Sequence, residues 1–494
     1  MNKFLVFILF FLLSLSFRFE NLKRDLDFNG YITAHTLLTL KIWEKVGIKQ
    51  YNFSPVYTFP NENDRHISNL GGIKDIYGNY YYISYPPFAF IFPYFVFQIF
   101  KVPSGVLSLY ILNLLIHLVA SYFVYLTLSV LFPVKEGKLP GKFAFIGFIV
   151  YLFISGNLWF HQNLYFVDIF VQVFFVISTY LVMNILFNEK SRTNMYFSLF
   201  FIVSFFMAYS EWIGLLFSLS LILIAIFKRK DTIYQKIAVV SGSASFMAVF
   251  LTLLQYSRIA GAGEMFSGMW QKYQDRSGLF FSAKPYLNIV YFYYINYLPA
   301  FIFIMIALFL IRKKRLISVK LLSKKSGHLL YFSLCPVILH YLVFFNFNSN
   351  HSFSVLKTSL FLSVITSLSL IYIMQVFSNG KFMKILYASA ICLFISISVV
   401  YYYFRYHDAT FDTSYKSLGY TIKERVLDNE MVYLCGYPGG FIEPQILYYA
   451  ERNIKSCSDM DALKEKLIRA NKEKAVIFLV DNLRQVKKSV RIPM

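Results

Sequence analysis

The sequence predicts an α-helical polytopic membrane protein of about eleven spans with a small C-terminal α/β domain. Three observations predict it. Hydrophobic residues fill 57% of the 494 positions and charged residues only 15%, with mean hydropathy +0.54. A soluble surface needs about a quarter of residues charged, so most of this chain sits in lipid. The apolar residues also fall in long runs bounded by charge, Gly, Pro or Asn. Finally, Lys and Arg crowd into every second loop, as the positive-inside rule requires of cytoplasmic segments.

The same numbers exclude other classes. Aromatics reach 20%, which argues against disorder. Four cysteines are too few for a disulfide scaffold. In a soluble protein the net charge of +22 would point to nucleic acid. Here much of it is explained by topology, and nucleic acid drops out as a partner.

The first apolar run, Phe4 to Phe17, is short for a span. It reads as a membrane helix or as a signal peptide, with Ser14 and Ser16 near a cleavage point. Either reading places residues 18–87 outside. This loop carries helical periodicity over Thr33 to Val46, through Ile32, Leu37, Leu40 and Trp43. Gly71-Gly72 and Tyr77-Gly78-Asn79 flank short strand-like pieces, with Tyr80 to Ile83 returning. Residues 88–100 follow Pro86-Pro87 and contain Pro93, which favours an interfacial or re-entrant helix.

Further apolar stretches lie near 105–132, 143–156, 163–187, 196–209, 212–227, 237–257, 289–311, 328–346, 354–377 and 382–403. The loops carrying Lys135, Lys138 and Lys142, Lys190 and Arg192, Lys228 to Lys236, Arg312 to Lys325, and Lys381 with Lys384 are basic. The alternate loops 157–162, 209–212 and 347–353 hold no Lys or Arg, and 258–288 is mixed. The expected topology is therefore N-terminus inside and C-terminus outside, in a multi-pass protein of the plasma (inner) membrane.

The membrane part is expected over 1–404 and the outward α/β domain over 405–494. The tail reads as strand (Met431 to Gly436), helix (Glu443 to Arg452), strand (Asn453 to Cys457), helix capped by Asp459, and strand (Ala475 to Val480). That order implies a small parallel sheet. Cys435 and Cys457 close the first two strands. Adjacent parallel strands would bring them into disulfide range; otherwise they pack as small hydrophobes.

Chemistry concentrates at the outward side. Asp25 and Asp27 stand two apart just before the loop helix. A carboxylate there can act as general base toward an acceptor hydroxyl or amine; the bland reading is a solvated loop residue or an N-cap. Asp168 lies near the outer end of its span, after His161. An Asp in lipid needs a partner, and His161 is one option. Lys357, about a turn inside its helix, is either functional or snorkels to the surface. Arg258, Lys272, Arg276, Lys284 and His351 are further outward groups, each also readable as a plain loop residue. Glu211 reads as a cavity residue or a surface turn, and His35 as a structural histidine.

The order of these features resembles the GT-C class of integral-membrane glycosyltransferases, which includes the protein O-mannosyltransferases and the lipid A aminoarabinose transferases. Asp27, Gly30 and Tyr31 match the acidic motif that opens the outward loop in that class, and Tyr85-Pro86-Pro87 matches the Pro-Pro motif that closes it. Phe28 stands in place of a second acid, which leaves open whether Asp25 or Asp27 is the base. The match covers roughly residues 1–130.

The resemblance implies a membrane glycosyltransferase, hexosyl or pentosyl, with a polyprenyl-phosphate sugar donor. The acceptor would be a lipid, glycan or protein, and the active site would face the periplasm or exterior. It implies Asp27 or Asp25 as the catalytic residue. Lys357, Arg258, Arg276, His351, Asp168, Tyr85 and Pro86 would lie on the substrate side. No metal signature is present; a divalent cation between Asp25 and Asp27 is the one cofactor option. A transporter or flippase is the alternative function, and a non-catalytic envelope assembly protein a third.

Overall fold

The computed structural model describes residues 3–22, 25–26, 30–61, 67, 72–132, 141–278, 282–314, 323–377, 383–404, 412–437, 442–470, 474–481 and 484–492. Asp27 and Phe28 lie outside the described residues. The N-terminal half runs α1 (Lys3–Leu22), α2 (Gly30–Val46), β1 (Ile73–Lys74), β2 (Tyr80–Tyr81), α3 (Phe88–Phe100), α4 (Val106–Leu131), α5 (Lys142–Phe153), α6 (Ser155–Asn163), α7 (Val167–Phe187), α8 (Asn194–Ala208) and α9 (Ile213–Phe227). It continues with α10 (Thr232–Arg276), α11 (Lys284–Lys314), α12 (Lys324–Val343), α13 (Phe345–Asn350), α14 (Ser359–Phe377) and α15 (Met383–Tyr402). The tail holds α16 (Ser414–Arg425), β3 (Met431–Cys435), α17 (Pro444–Ala450), β4 (Lys455–Cys457), α18 (Met460–Ala470), β5 (Ala475–Val480) and β6 (Val486–Ile492).

Two compact units form. The first takes residues 1–23, 110–250 and 273–409. Among the described residues, seven helices are long and apolar enough to cross a membrane, and an eighth crossing results if α5 and α6 count as one. That pair is bent by 52° where Ile154 is extended. The apolar helices α1, α8 and α9 are shorter. Helix α7 is the core of this unit: its best window is 83% buried, against 33–44% for α4, α10, α11, α12 and α15. Those five leave large apolar side chains such as Phe246, Phe309 and Leu342 exposed, as lipid-facing surfaces do. Serine provides polar contacts between helices: Ser218 of α9 meets Ser241 at 2.5 Å and Ser245 at 2.7 Å on α10.

Three sequence expectations change here. The segment 157–162, read as a loop, is helical α6. The mixed loop 258–288 is mostly helix, because α10 continues to Arg276 through a break at Gly261 (φ 82°, ψ 161°). Arg18, read as the start of the outer loop, is a fully buried residue of α1 bonded to Ser14 and His117.

The second unit takes residues 24–109, 251–272 and 410–494. Helix α2 buries Leu37, Leu40 and Trp43 completely and packs on α17. β1 and β2 pair antiparallel, Ile73 opposite Tyr81. Asn453 clamps the first loop to the tail in both directions, accepting from Phe59 N at 2.8 Å and donating to Phe59 O at 3.0 Å.

The tail sheet has the order β4-β3-β5-β6. β3 pairs parallel with β4 and β5, as the strand-helix-strand reading implies. β6 adds an antiparallel edge that the sequence reading left out. Its burial alternates weakly and three of its seven residues are charged, which suits an edge and hides it from a hydrophobicity scan. Cys435 and Cys457 stand opposite each other in register, 4.5 Å apart at Cα, and form a disulfide. Asp459 caps α18, accepting from Asp461 N and Ala462 N. Helices α16 and α17 approach so closely that a Cβ on Gly419 would lie 2.5 Å from Tyr449 Cβ.

Candidate functional site

In the first unit, two cations and a histidine gather around one aromatic ring. Asp168 sits in the first turn of α7, where the helix dipole favours an anion. Lys357 sits in a 3-10 helix, Ser352–Thr358, that leads into α14. Its ammonium donates to Asp168 Oδ1, and neither side chain has any exposure. The partner of Asp168 is therefore Lys357. His161 stacks instead on His117, with ring centroids 4.2 Å and planes 4° apart.

A second buried pair lies in the same unit. His340 Nε2, on α12, is 3.1 Å from Glu211 Oε1. Glu211 Oε2 accepts from Ile213 N at 2.5 Å and so closes the turn into α9. Asn348 Nδ2 lies 3.1 Å from the other His340 nitrogen and donates to the Phe344 carbonyl at 2.8 Å. Glu211 is thus an interior residue and not a surface turn.

Phe347 of α13 is the hub. Lys357 Nζ lies 5.4 Å from its ring centroid and the Arg276 guanidinium 5.2 Å. His351 stacks on it at 4.5 Å and 25°. Lys357 is fully buried, whereas Arg276 and His351 are partly exposed. The cluster therefore runs from a dry ion pair to two cationic or hydrogen-bonding groups that solvent reaches. Such a gradient suits an anion approaching from the exposed end, because each unit of charge gains strength as water is excluded.

The structure brings together five residues singled out in the sequence: Lys357, Asp168, Arg276, His351 and Glu211. His340 and Phe347 complete the cluster. The signal for them was a polar run, Asn346 to His351 with His340 just before it, inside what otherwise reads as the end of an apolar span.

In the second unit Asp25 is fully engaged. Oδ1 accepts from Leu26 N at 2.9 Å and Tyr449 OH at 2.6 Å; Oδ2 accepts from Lys416 Nζ at 2.5 Å. Partial burial disfavours its charge, but Lys416, Tyr449 and the Leu26 amide outweigh that and hold the carboxyl below its ordinary range. Asp25 therefore ties the start of the loop to α16 and α17. Asp27 lies outside the described residues.

Tyr85 and Pro86 are buried, and the Tyr85 carbonyl accepts from Tyr256 OH of α10 at 2.6 Å. They seat the start of α3. His35 is sandwiched between Tyr57 and Tyr82, 5.1 Å from each. Arg258 is exposed on α10 and lines a groove with Asp75, Tyr77 and Tyr81. Among the described residues no three His, Cys, Asp or Glu side chains are placed to hold a metal ion.

No family model matches the sequence, and no curated protein matches it. Solved structures do match. The apo oligosaccharyltransferase of Archaeoglobus fulgidus aligns with TM-score 0.62 and 12% identity over 97% of this chain and 70% of its own. ArnT from Cupriavidus metallidurans, bound to undecaprenyl phosphate, aligns with TM-score 0.62 and 11% identity over 97% of this chain and 94% of its own. The oligosaccharyltransferase AglB from A. fulgidus, with an inhibitory peptide and a dolichol-phosphate, aligns with TM-score 0.58 and 11% identity over 96% and 69%. The likeness is one of fold, and it is the GT-C fold that the sequence resemblance implied.

Proposed function

We propose that this protein is a glycosyltransferase that moves a hexosyl or pentosyl group from a polyprenyl-phosphate donor to an acceptor on the outer face of the membrane. The observation that carries the reading is the Arg276–His351–Lys357 ring around Phe347, set in a fold shared with a protein bound to undecaprenyl phosphate. The chemistry needs two devices. A base, Asp27, takes the proton of the acceptor hydroxyl or amine as the acceptor bonds to the anomeric carbon. The bond from that carbon to the phosphate oxygen breaks, and its electron pair leaves on the lipid phosphate. Arg276 and His351 meet that charge, backed by Lys357, of whose three donors Asp168 takes one.

Asp27 is preferred over Asp25 because every described contact of Asp25 is structural and its carboxyl is held in a weakly basic state. Asp27→Asn should lower release of polyprenyl phosphate by roughly 10²–10⁴-fold with folding intact. Near-normal release from Asp27→Asn together with loss in Asp25→Asn would reverse the assignment.

The proposed topology has eleven crossings, counting α1, α8 and α9, with the N-terminus inside. Reporter fusions after Lys320 and after Lys455 should read cytoplasm and exterior; the same side for both overturns it. The bend between α5 and α6 and the break at Gly261 favour one second reading, a transporter, since interrupted helices line transport sites. A transporter returns its lipid-linked substrate chemically unchanged, so free polyprenyl phosphate in the products separates the two.

A further inference from the structure

The first unit buries a cation for which it supplies no anion. Arg18, near the end of α1, is fully buried. Among the described residues no carboxylate pairs with it. The two fully buried carboxylates of this unit are committed elsewhere, Asp168 to Lys357 and Glu211 to His340. An ion in such a setting is costly without a partner. A guanidinium also keeps its charge in proteins, so deprotonation offers no escape. We propose that a small inorganic anion of chloride size is bound between α1, α4 and α6, held by Arg18 and His161. The site is independent of the transferase reading.

Arg18 has five N–H donors, and the chain uses three. Nε donates to the Ser14 carbonyl at 3.1 Å, Nη2 to Ser14 Oγ at 2.6 Å, and Nη1 to His117 Nδ1 at 3.3 Å. Ser14 Oγ spends its own proton on the Phe11 carbonyl at 2.8 Å, which leaves it open to the guanidinium. A guanidinium cannot accept, so His117 Nδ1 carries no proton. The proton is on Nε2, which donates to the Tyr151 carbonyl at 3.2 Å. Every partner of Arg18 is therefore neutral. Its charge is unmatched, and two of its N–H groups have no described acceptor.

His161 supplies the second observation. Its ring lies flat on His117, it has no exposure, and neither ring nitrogen has a hydrogen-bond partner. The Asn113 carbonyl faces the ring outside hydrogen-bond geometry. Either neutral tautomer leaves one N–H unspent, a state rare for a buried group. Asn113, one turn before His117, spends its amide nitrogen on the Leu164 carbonyl at 2.8 Å and brings no charge. Unspent donors around an unmatched positive charge call for an anion.

Other occupants fit less well. Water would meet the donors but not the charge. A lipid phosphate is tethered to its chain, and Arg18, His117 and His161 are closed to solvent. The consequence lies at the bend between α5 and α6. The Tyr151 carbonyl is among those that end α5, and it accepts from His117 Nε2 and from Asn157 Nδ2 at 2.9 Å. A chain of contacts thus runs from the anion through Arg18 and His117 to the bend, which the anion should hold in place.

The test uses the full chain in lipid nanodiscs, in sodium chloride or in sodium gluconate at equal ionic strength. Gluconate is too large for a closed site. The thermal midpoint of wild type should rise with chloride and saturate, by about 2 °C or more. Arg18→Met removes the charge and should abolish that rise. His161→Phe keeps the ring stack, removes the nitrogens and should weaken it. A wild-type midpoint indifferent to the anion, or the same chloride rise in both variants, overturns the inference. Crystals of wild type grown in sodium bromide give a direct readout that needs no variant to fold. An anomalous peak between Arg18 and His161 supports the site. Bromide at the surface alone, or only water between the two side chains, overturns it.

Discussion

Each unit of the molecule holds a lysine–aspartate pair, and the two pairs differ in almost everything but chemistry. Lys357 and Asp168 have no exposure at all, whereas Lys416 and Asp25 are 41% and 27% exposed. In the first unit neither charge could stay without the other, because an unpaired ion in that setting is very costly. In the second, water already solvates both partners, and the pair adds little by itself. Nearby Glu451 shows how that unit compensates: it draws Lys41 at 2.8 Å, Lys45 at 3.2 Å, and Lys423 as well. One region concentrates its electrostatics in two dry pairs, and the other spreads them over several wet ones. The lesson is that the same residue types are structural requirements in one place and adjustable surface contacts in another.

The comparison can be broken at its strong end first. Lys357→Met strands a buried carboxylate and should cost about 3–5 kcal/mol of stability. Lys357→Met combined with Asp168→Leu should recover most of it. Reversible unfolding in bicelles measures both, and a single-variant loss below about 1 kcal/mol would put the pair in the weak class. Next comes the cross-link in the tail. Cys435→Ser opens a bridge between residues 22 apart and should cost roughly 3 kcal/mol. Thiol labelling of the denatured wild type without reductant should leave both cysteines unmodified. Asp25→Asn or Lys416→Met should cost less than about 1 kcal/mol and less still at high salt.

The smallest effect concerns pH. Burial works against the Glu451 charge, but Lys41, Lys423 and Lys45 outweigh it and hold its pKa at about 2, down from 4.5. A lowered carboxylate pKa stabilises above the unfolded value and is lost as protons bind. The contact of α17 with α2 and α16 should therefore loosen as pH falls from about 4.5 toward 2. Hydrogen exchange at α17 that stays flat across that window, while Glu451→Gln behaves as wild type, would leave the clamp without measurable effect.

The tail was the most legible region. Val432 to Leu434 and Val476 to Leu479 are apolar, β-branched or aromatic runs too short for helices, and both are strands. The register that joins Cys435 to Cys457 follows from that strand order. Strand β6, Val-Lys-Lys-Ser-Val-Arg-Ile, was not legible, because an edge strand owes its place to backbone pairing and not to burial. In the membrane part, apolar runs mark helices but not their breaks. Past Arg258, α10 runs through small and polar residues that are mostly exposed, and only Gly261 hints at the interruption.

The candidate site was half legible. Lys357, Asp168, Arg276 and His351 were singled out because charge in or near lipid is rare. His340 and Phe347 were not, since a histidine and a phenylalanine at the end of a span look like ordinary interface residues. What makes them part of the cluster is three-dimensional: Phe347 stacks with His351 and lies under Arg276 and Lys357.

The central claim is that the Phe347 cluster receives a lipid phosphate, and native mass spectrometry of lipid binding in nanodiscs tests it most directly. Undecaprenyl phosphate and undecaprenol are offered to wild type and to Arg276→Ala, a partly exposed position whose loss leaves the buried pairs intact. The account predicts that wild type prefers the phosphate form, and that Arg276→Ala loses about tenfold in phosphate affinity with no change toward undecaprenol. Equal affinity of wild type for the two lipids, or an unchanged phosphate preference in Arg276→Ala, would contradict it.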